Sequence, residues 1–226
     1  MTLKQISIAI YSAYLTNKFG LLLKKTKTTQ ERFDLRLEYA KTLLSKLNIE
    51  VEVNNKEKLP QDGQYLLISN HRSIIDPLII EMAFQNTKVD GFWIAKKELY
   101  NSFFFGNFTR NAGTILLDRE APNMSPFFKS IKEVVKEGHS IYIFPEGTRN
   151  KEDSALTDFK EGSRIIALKN RLPILPVYIK TNANKVLKEA ILKRSEGLKI
   201  EIEIGDLIDY KDKTPLEENY RKMFKL

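Results

Sequence analysis

The chain contains no cysteine among its 226 residues, which excludes disulfides, thiolate metal sites and a cysteine nucleophile and agrees with a reducing compartment. Only two histidines occur, His71 and His139, too few for a histidine-based metal centre. No G-x-S-x-G sequence is present, which removes the nucleophile elbow of a serine hydrolase. No uncharged apolar run reaches the roughly 20 residues that a bilayer-spanning helix needs, because Lys4 and Lys18 bracket the N-terminal stretch. A signal peptide is a poor match too: the basic start is weak, and Asn17, Lys18 and Phe19 provide no small-residue cleavage site. Internal repeats, low-complexity segments and dividing linkers are also missing.

What is present suits one sizeable core, with 42% hydrophobic and 29% charged residues. The net charge of +8 favours an anionic partner, whether a phosphate ester, an anionic lipid surface, an acidic carrier protein or nucleic acid. Residues 1–25 read as a helix apolar around much of its circumference, carrying Tyr11, Tyr14 and Phe19, with Lys24, Lys25 and Lys27 clustered about its end. That composition suits a membrane interface, and packing on the core is the equal alternative. After a threonine-rich break, Phe33, Leu37, Tyr39/Ala40, Leu43/Leu44 and Leu47 recur at helical spacing. The expected organisation is therefore an N-terminal two-helix membrane-docking element over residues 1–48, followed by an α/β domain over 49–226.

Within that domain, "IEVEV", "YLLIS", "GFWIA", "GTILL", "SIYIF", "ILPVYI" and "KIEIEI" read as strands. Helical patterns separate them. Ser125 before Pro126 marks a helix start, with Gly138 past its end, and further helices fit "EGSRIIALKN" and "NANKVLKEAILKR". The alternation predicts a mixed, mostly buried sheet flanked by helices.

One histidine lies in "ISNHRSIIDPL", between a strand pattern and a helix start. Pro77 suits the first turn of a helix and makes Asp76 an N-cap candidate, so His71 and Asp76 flank a turn that can fold the carboxylate back to the imidazole. Two readings stand. A carboxylate on one ring nitrogen orients the imidazole and leaves the other to take a proton from a hydroxyl. The plainer alternative is a capping aspartate and a histidine that satisfies a backbone group. With no serine elbow available, a base at His71 would act on a substrate hydroxyl, in a direct transfer.

"SIYIFPEGTRN" ends a strand in a turn that delivers Glu146, Gly147, Thr148 and Arg149 together, at the edge of an α/β sheet where ligands bind. Gly147 permits close backbone approach and Arg149 offers a planar fork for phosphate; a surface turn with a solvated arginine is the alternative. Arg119 follows "GTILLD", with Asp118 as its potential partner, and Lys96 and Lys97 follow "GFWIA". Basic residues thus recur after three strand patterns, and convergence on a phosphate is the sharper reading.

These blocks together resemble the glycerolipid acyltransferase family, which contains the 1-acylglycerol-3-phosphate acyltransferases, over residues 66–179. "NHRSIIDP" looks like its His-x-x-x-x-Asp block, "AKKEL" with "GTILLDR" like its second, "FPEGTR" like its third and most specific, and "LPILPVYI" like its fourth. "FKEGSRIIALK" also fits, with Glu161 standing where the family more often has proline. The resemblance implies His71 as base, Asp76 as its partner, Lys96, Arg119, Glu146, Gly147, Thr148 and Arg149 at the acceptor, backbone amides near Gly147 for the oxyanion, and residues 172–179 along the acyl region. It implies acyl transfer from acyl-CoA or an acyl-acyl carrier protein to lysophosphatidic acid, giving phosphatidic acid without an acyl-enzyme, metal or resident cofactor. It further implies a peripheral, monotopic enzyme on the phospholipid surface of the cytoplasmic face of the cell membrane, with acyl carrier protein a candidate partner and nucleic acid not one. "YNSFFFGNF" would add aromatics to the docking surface, ordinary core packing being its alternative. The competing functions are acylation of another lysophospholipid or an aminoacyl lipid, and a non-catalytic lipid-binding module.

Overall fold

A computed structural model of the chain describes residues 3–193 and 195–226. Two helices lead, α1 (Leu3–Leu23) and α2 (Thr29–Lys46). The break between them is enforced locally: the Thr28 side chain accepts from the Glu31 amide while Glu31 bonds back to the Thr28 amide, a reciprocal cap that starts α2. Seven strands follow where the apolar runs predict them: β1 (Ile49–Asn54), β2 (Leu66–Ser69), β3 (Gly91–Lys96), β4 (Ile115–Leu117), β5 (Ser140–Ile143), β6 (Ile174–Ile179) and β7 (Leu198–Ile204). The connecting helices are α3 (Asp76–Ala83), α4 (Lys97–Tyr100), α5 (Gly106–Asn111), α6 (Ser125–Lys136), α7 (Gly162–Asn170), α8 (Ala183–Lys193) and the C-terminal α9 (Leu216–Phe224). The helix expected to run through Arg194 is seen to Lys193, and Arg194 lies outside the described residues.

One sheet has the order β1-β7-β6-β2-β5-β3-β4. All pairs are parallel except β6 with β7. Each central strand alternates between two cores, as a pleated strand buried on both faces must. Leu67, Trp93, Tyr142 and Leu175 face one core, which also holds α1, α2, α3 and α8 residues. Leu66, Phe92, Ile141 and Ile174 face the other, with α6, α7 and α9 residues.

That layering creates the site. After β2 the chain crosses by α3 on one face, whereas after the neighbouring β5 it crosses by α7 on the opposite face. Consecutive crossovers to opposite faces pull the two loops apart and leave a crevice at the carboxyl ends of adjacent parallel strands.

α1 packs Ile8, Leu15, Phe19 and Leu23 inward, and Thr16 Oγ1 shares a 2.8 Å hydrogen bond with the Tyr39 hydroxyl of α2. Its outer face exposes Ile6, Ile10, Tyr14 and Leu21. By length and composition the 19-residue stretch Gln5–Leu23 is long and apolar enough to cross a membrane, despite the lysine bracket that argued for a shorter run. A third of it is buried in the fold, so α1 combines a face packed on the core with an exposed apolar face.

Candidate active site

The loop after β2 is held rigidly before any chemistry is considered. Asn70 ties it to β6, its Oδ1 accepting from the Ile179 amide at 2.8 Å and its Nδ2 donating to the Ile179 carbonyl at 3.2 Å. Asp76, 1% exposed, then closes the turn: one oxygen, Oδ2, accepts from His71 Nδ1 at 2.8 Å and from the Arg72 and Ser73 amides at 2.7 Å each. Because that oxygen already accepts two amide hydrogens, Nδ1 is the donor in the pair, and Nε2 is left with a lone pair. The expectation that Asp76 caps α3 needs correction. The capping position belongs to Ile75, which makes no side-chain cap, and the Asp76 carboxylate is turned back into the preceding turn. Ser125 likewise begins α6 as its first residue, not its cap, with Met124 before it.

The imidazole plane is set by stacking. His71 lies 4.0 Å from the Phe144 ring at 9°, Phe144 lies 5.0 Å from Trp93 at 23°, and Trp93 Nε1 donates to Glu81 at 2.8 Å. Glu81 in turn pairs with buried Arg36 of α2. None of this relay was legible in the sequence, since Arg36, Glu81 and Trp93 come from three separate elements.

The loop after β5 clamps the same histidine. The His71 amide donates to Glu146 Oε1 at 2.6 Å, and the His71 carbonyl accepts from the Asn150 amide at 2.6 Å. The other Glu146 oxygen accepts from the Thr157 amide at 2.7 Å and the Thr157 hydroxyl at 2.6 Å. Glu146, 3% exposed, therefore does not stand at the acceptor as expected; its carboxylate is consumed by the protein and does not line the cavity. Burial pushes its carboxyl above the ordinary value, against the Thr157 and His71 hydrogen bonds that pull it down. Sequence reasoning missed Asn150 and Thr157, and only Glu146 gave a signal, misread as a ligand.

Gly147 has φ +71°, and a Cβ there would collide with the Arg119 guanidinium, whose Nη2 donates to the Gly147 carbonyl at 2.8 Å. A glycine is thus needed for Arg119 to reach the loop. The Gly147 amide itself is spent on the Phe144 carbonyl at 2.9 Å, so it is no oxyanion donor. Asp118 pairs with Lys97 at 2.7 Å, not with Arg119. Lys96 and Lys97 consequently part company: Lys97 is neutralised by Asp118, whereas Lys96 opens onto the cavity with Arg119 and Arg149. Burial first, then the Arg119 charge with Arg149 adding to it, lowers the Lys96 ammonium from the usual lysine value, while Glu98 opposes them. Three cations that repel one another across a cavity form a site that gains from an anion.

His71, Lys96, Arg119, Gly147, Thr148 and Arg149 all line one cavity of about 1390 Å³. The apolar lining falls into two sets, one on each face of the sheet, which we term limbs. The first set, Ile8, Tyr39, Leu43, Leu78, Phe108 and Leu187, belongs to the core of the first face. The second, Phe127, Phe128, Ile143 and Ile166, belongs to the opposite face and includes residues from the beginnings of α6 and α7. Residues 172–179, expected along the acyl region, do not line it: β6 is buried throughout, within the sheet, and the strand residues that do reach the cavity come from β3, β4 and β5. Phe103, at 88% exposure, and Phe104 stand out from the surface beside α5, whereas Phe108 packs against the core beside Tyr39, so the two readings of "YNSFFFGNF" divide the stretch between them.

The acyltransferase family model matches residues 50–180. The 1-acyl-sn-glycerol-3-phosphate acyltransferase of Helicobacter pylori is 37% identical over 118 residues, 52% of this chain and 48% of that protein. The corresponding Streptococcus pneumoniae protein is 30% identical over 171 residues, 75% of this chain and 60% of its own length. That of Bacillus subtilis is 34% identical over 126 residues, 56% and 60% respectively. The chain thus spans about half to three-fifths of the length of these relatives. The crystal structure of the 1-acyl-sn-glycerophosphate (LPA) acyltransferase from Thermotoga maritima superposes with a TM-score of 0.69, covering 99% of this chain and 90% of that one at 24% identity, a likeness of fold.

Proposed function

The chain belongs to the acyltransferase family, and on that premise we propose that it moves a fatty acyl group from an acyl thioester to the free hydroxyl of lysophosphatidic acid, forming phosphatidic acid. The observation that carries the reading is the His71 imidazole, paired through Nδ1 with Asp76, on the wall of the cavity that also gathers Lys96, Arg119 and Arg149. His71 Nε2 takes the hydroxyl proton as the oxygen attacks the thioester carbonyl; the carbon–sulfur bond then breaks and the imidazolium returns the proton to the departing thiolate. Asp76 stabilises the imidazolium, and the three cations hold the phosphate so that the hydroxyl is presented to the base. The donor is acyl-CoA or an acyl-acyl carrier protein, and transfer is direct, without an acyl-enzyme, because the imidazole deprotonates the acceptor hydroxyl itself.

Both substrates are amphiphiles, and docking at the cytoplasmic leaflet as a peripheral protein would deliver them. Supporting this are the outer face of α1 (Ile6, Ile10, Tyr14, Leu21), the exposed Phe103 and Phe104, and the net charge of +8. The deciding experiment offers a panel of lysolipid acceptors with acyl-CoA and acyl-carrier-protein donors to the purified chain and to His71→Ala. The expected outcome is transfer to lysophosphatidic acid, abolished in the folded variant. Preferential transfer to an acceptor without a phosphomonoester would redirect the acceptor assignment, retained turnover in His71→Ala would remove the base, and lipid binding without turnover would leave a binding module.

A further inference from the structure

The second limb of the cavity has features that the acceptor and a plain hydrocarbon chain do not use. Its wall includes Ser163, 1% exposed, whose Oγ is buried without a hydrogen-bond partner among the described residues. Unpaired buried hydroxyls are costly and call for a partner. Ser163 is the second residue of α7, so the limb also meets the amide-rich start of a nine-residue helix, where anions and carbonyl oxygens are favoured. Phe127 and Phe128 supply apolar wall on the α6 side. Lys160, whose own amide is fixed to the Pro145 carbonyl at 2.9 Å, is exposed at the rim and lines the same cavity. No ion pair engages Lys160 among the described residues, and the neighbouring Glu161 does not line the cavity.

This side of the cavity therefore presents apolar wall, a buried hydroxyl, a helix start and an exposed cation, all lining the same cavity as Pro145 and Gly147 to Arg149. A saturated acyl chain has no use for the hydroxyl or the cation. A chain that alternates amides with alkyl segments and ends in a phosphate uses every one of them. Resting on the acyl-transfer reading above, we infer that the limb between α6 and α7 receives the 4′-phosphopantetheine arm of the acyl donor. Its amides meet Ser163 and the α7 start, its dimethyl segment meets the phenylalanines, and its phosphate meets Lys160. The first limb, lined by α1, α2, α5 and α8, is then left to acyl chain. This arm is common to CoA and to acyl carrier protein.

The test uses the full chain with Lys160→Glu and Ser163→Val, neither of which touches the His71 pair. KM is measured for acyl-CoA, acyl-acyl carrier protein and lysophosphatidic acid, together with inhibition by free 4′-phosphopantetheine. Lys160→Glu should raise KM for both donors about tenfold or more, the scale of a lost charge-assisted hydrogen bond, with kcat and the lysophosphatidic acid KM little changed. Ser163→Val should do the same more weakly, and free 4′-phosphopantetheine should compete with both donors. A rise confined to lysophosphatidic acid overturns the inference, because the limb then serves the acceptor. A rise for acyl-CoA alone also overturns it, since the contact would be with the nucleotide and not the shared arm. If the parent chain transfers no acyl group, the acyl-transfer reading fails separately, and calorimetric titration with 4′-phosphopantetheine decides the limb: binding lost in Lys160→Glu supports it, and no binding to the parent chain refutes it.

Discussion

Asp76→Asn is the sharpest perturbation of the proposed chemistry because it alters charge while preserving shape. In the folded chain Asp76 Oδ2 accepts three hydrogen bonds, and Oδ1 is buried without a partner among the described residues. An asparagine that places its carbonyl at the Oδ2 position keeps the Arg72 and Ser73 amide bonds and the contact to His71 Nδ1. Its stability cost should stay within about 1 kcal/mol. Catalysis is affected differently, since base action turns the imidazole into a cation. A carboxylate charge about 4 Å away stabilises that cation by about 4 kcal/mol at the effective dielectric of a protein site, whereas a neutral hydrogen bond retains about 1 kcal/mol. The difference, about 3 kcal/mol, corresponds to a roughly hundredfold lower kcat. Release of the CoA thiol can be followed with a thiol-reactive chromophore without background, because the chain has no cysteine of its own. A variant that melts like the parent chain and keeps kcat within about threefold would refute the base-and-orienter reasoning.

Lys96→Met should separate binding from stability. A lysine whose folded value lies below the unfolded 10.5 costs stability while charged; that cost is fully present below the folded value and is relieved as pH rises from there toward 10.5. The variant should therefore melt higher than the parent at neutral pH and show a raised KM for lysophosphatidic acid; a lower melting temperature with unchanged KM contradicts the anion-site reading. Arg36→Met leaves Glu81, mostly shielded from solvent, opposite an apolar side chain, and urea unfolding should report a loss of about 3 kcal/mol. A loss under about 1 kcal/mol would mean that the pair is solvated and does not anchor Trp93. Replacing Tyr14 and Phe103 together by serine, both exposed, should release the protein from anionic liposomes with no fall in melting temperature. Undiminished co-sedimentation would place the docking surface elsewhere.

All seven strands were legible as short apolar or alternating runs, because a strand's signature, continuous where both faces are buried and alternating in β1 and β7, lies in adjacent residues. The family's blocks were legible for the same reason: His71 and Asp76 lie within one turn, and Gly147, Thr148 and Arg149 within one loop. Glu146 shows where that stopped. Its place in the block suggested a substrate ligand, yet its neighbours are the His71 amide and Thr157, and nothing in local order tells which way a side chain after a strand will turn. Asp118 pairs across to Lys97 and not to the adjacent Arg119, for reasons of strand pairing and not of spacing.

From the order of its residues alone, this chain determined its strands, its principal helices and the turn that brings a carboxylate to an imidazole, since each of these depends on contacts within a few residues. Only the tertiary structure decided which cations share a cavity, how the histidine ring is held by Phe144, Trp93 and Glu81, and that the cavity takes its apolar lining from both faces of the sheet. Those outcomes depend on crossovers that place α3 and α7 on opposite sides of adjacent strands. Such contacts join residues tens of positions apart, and are chosen by the packing of the whole sheet.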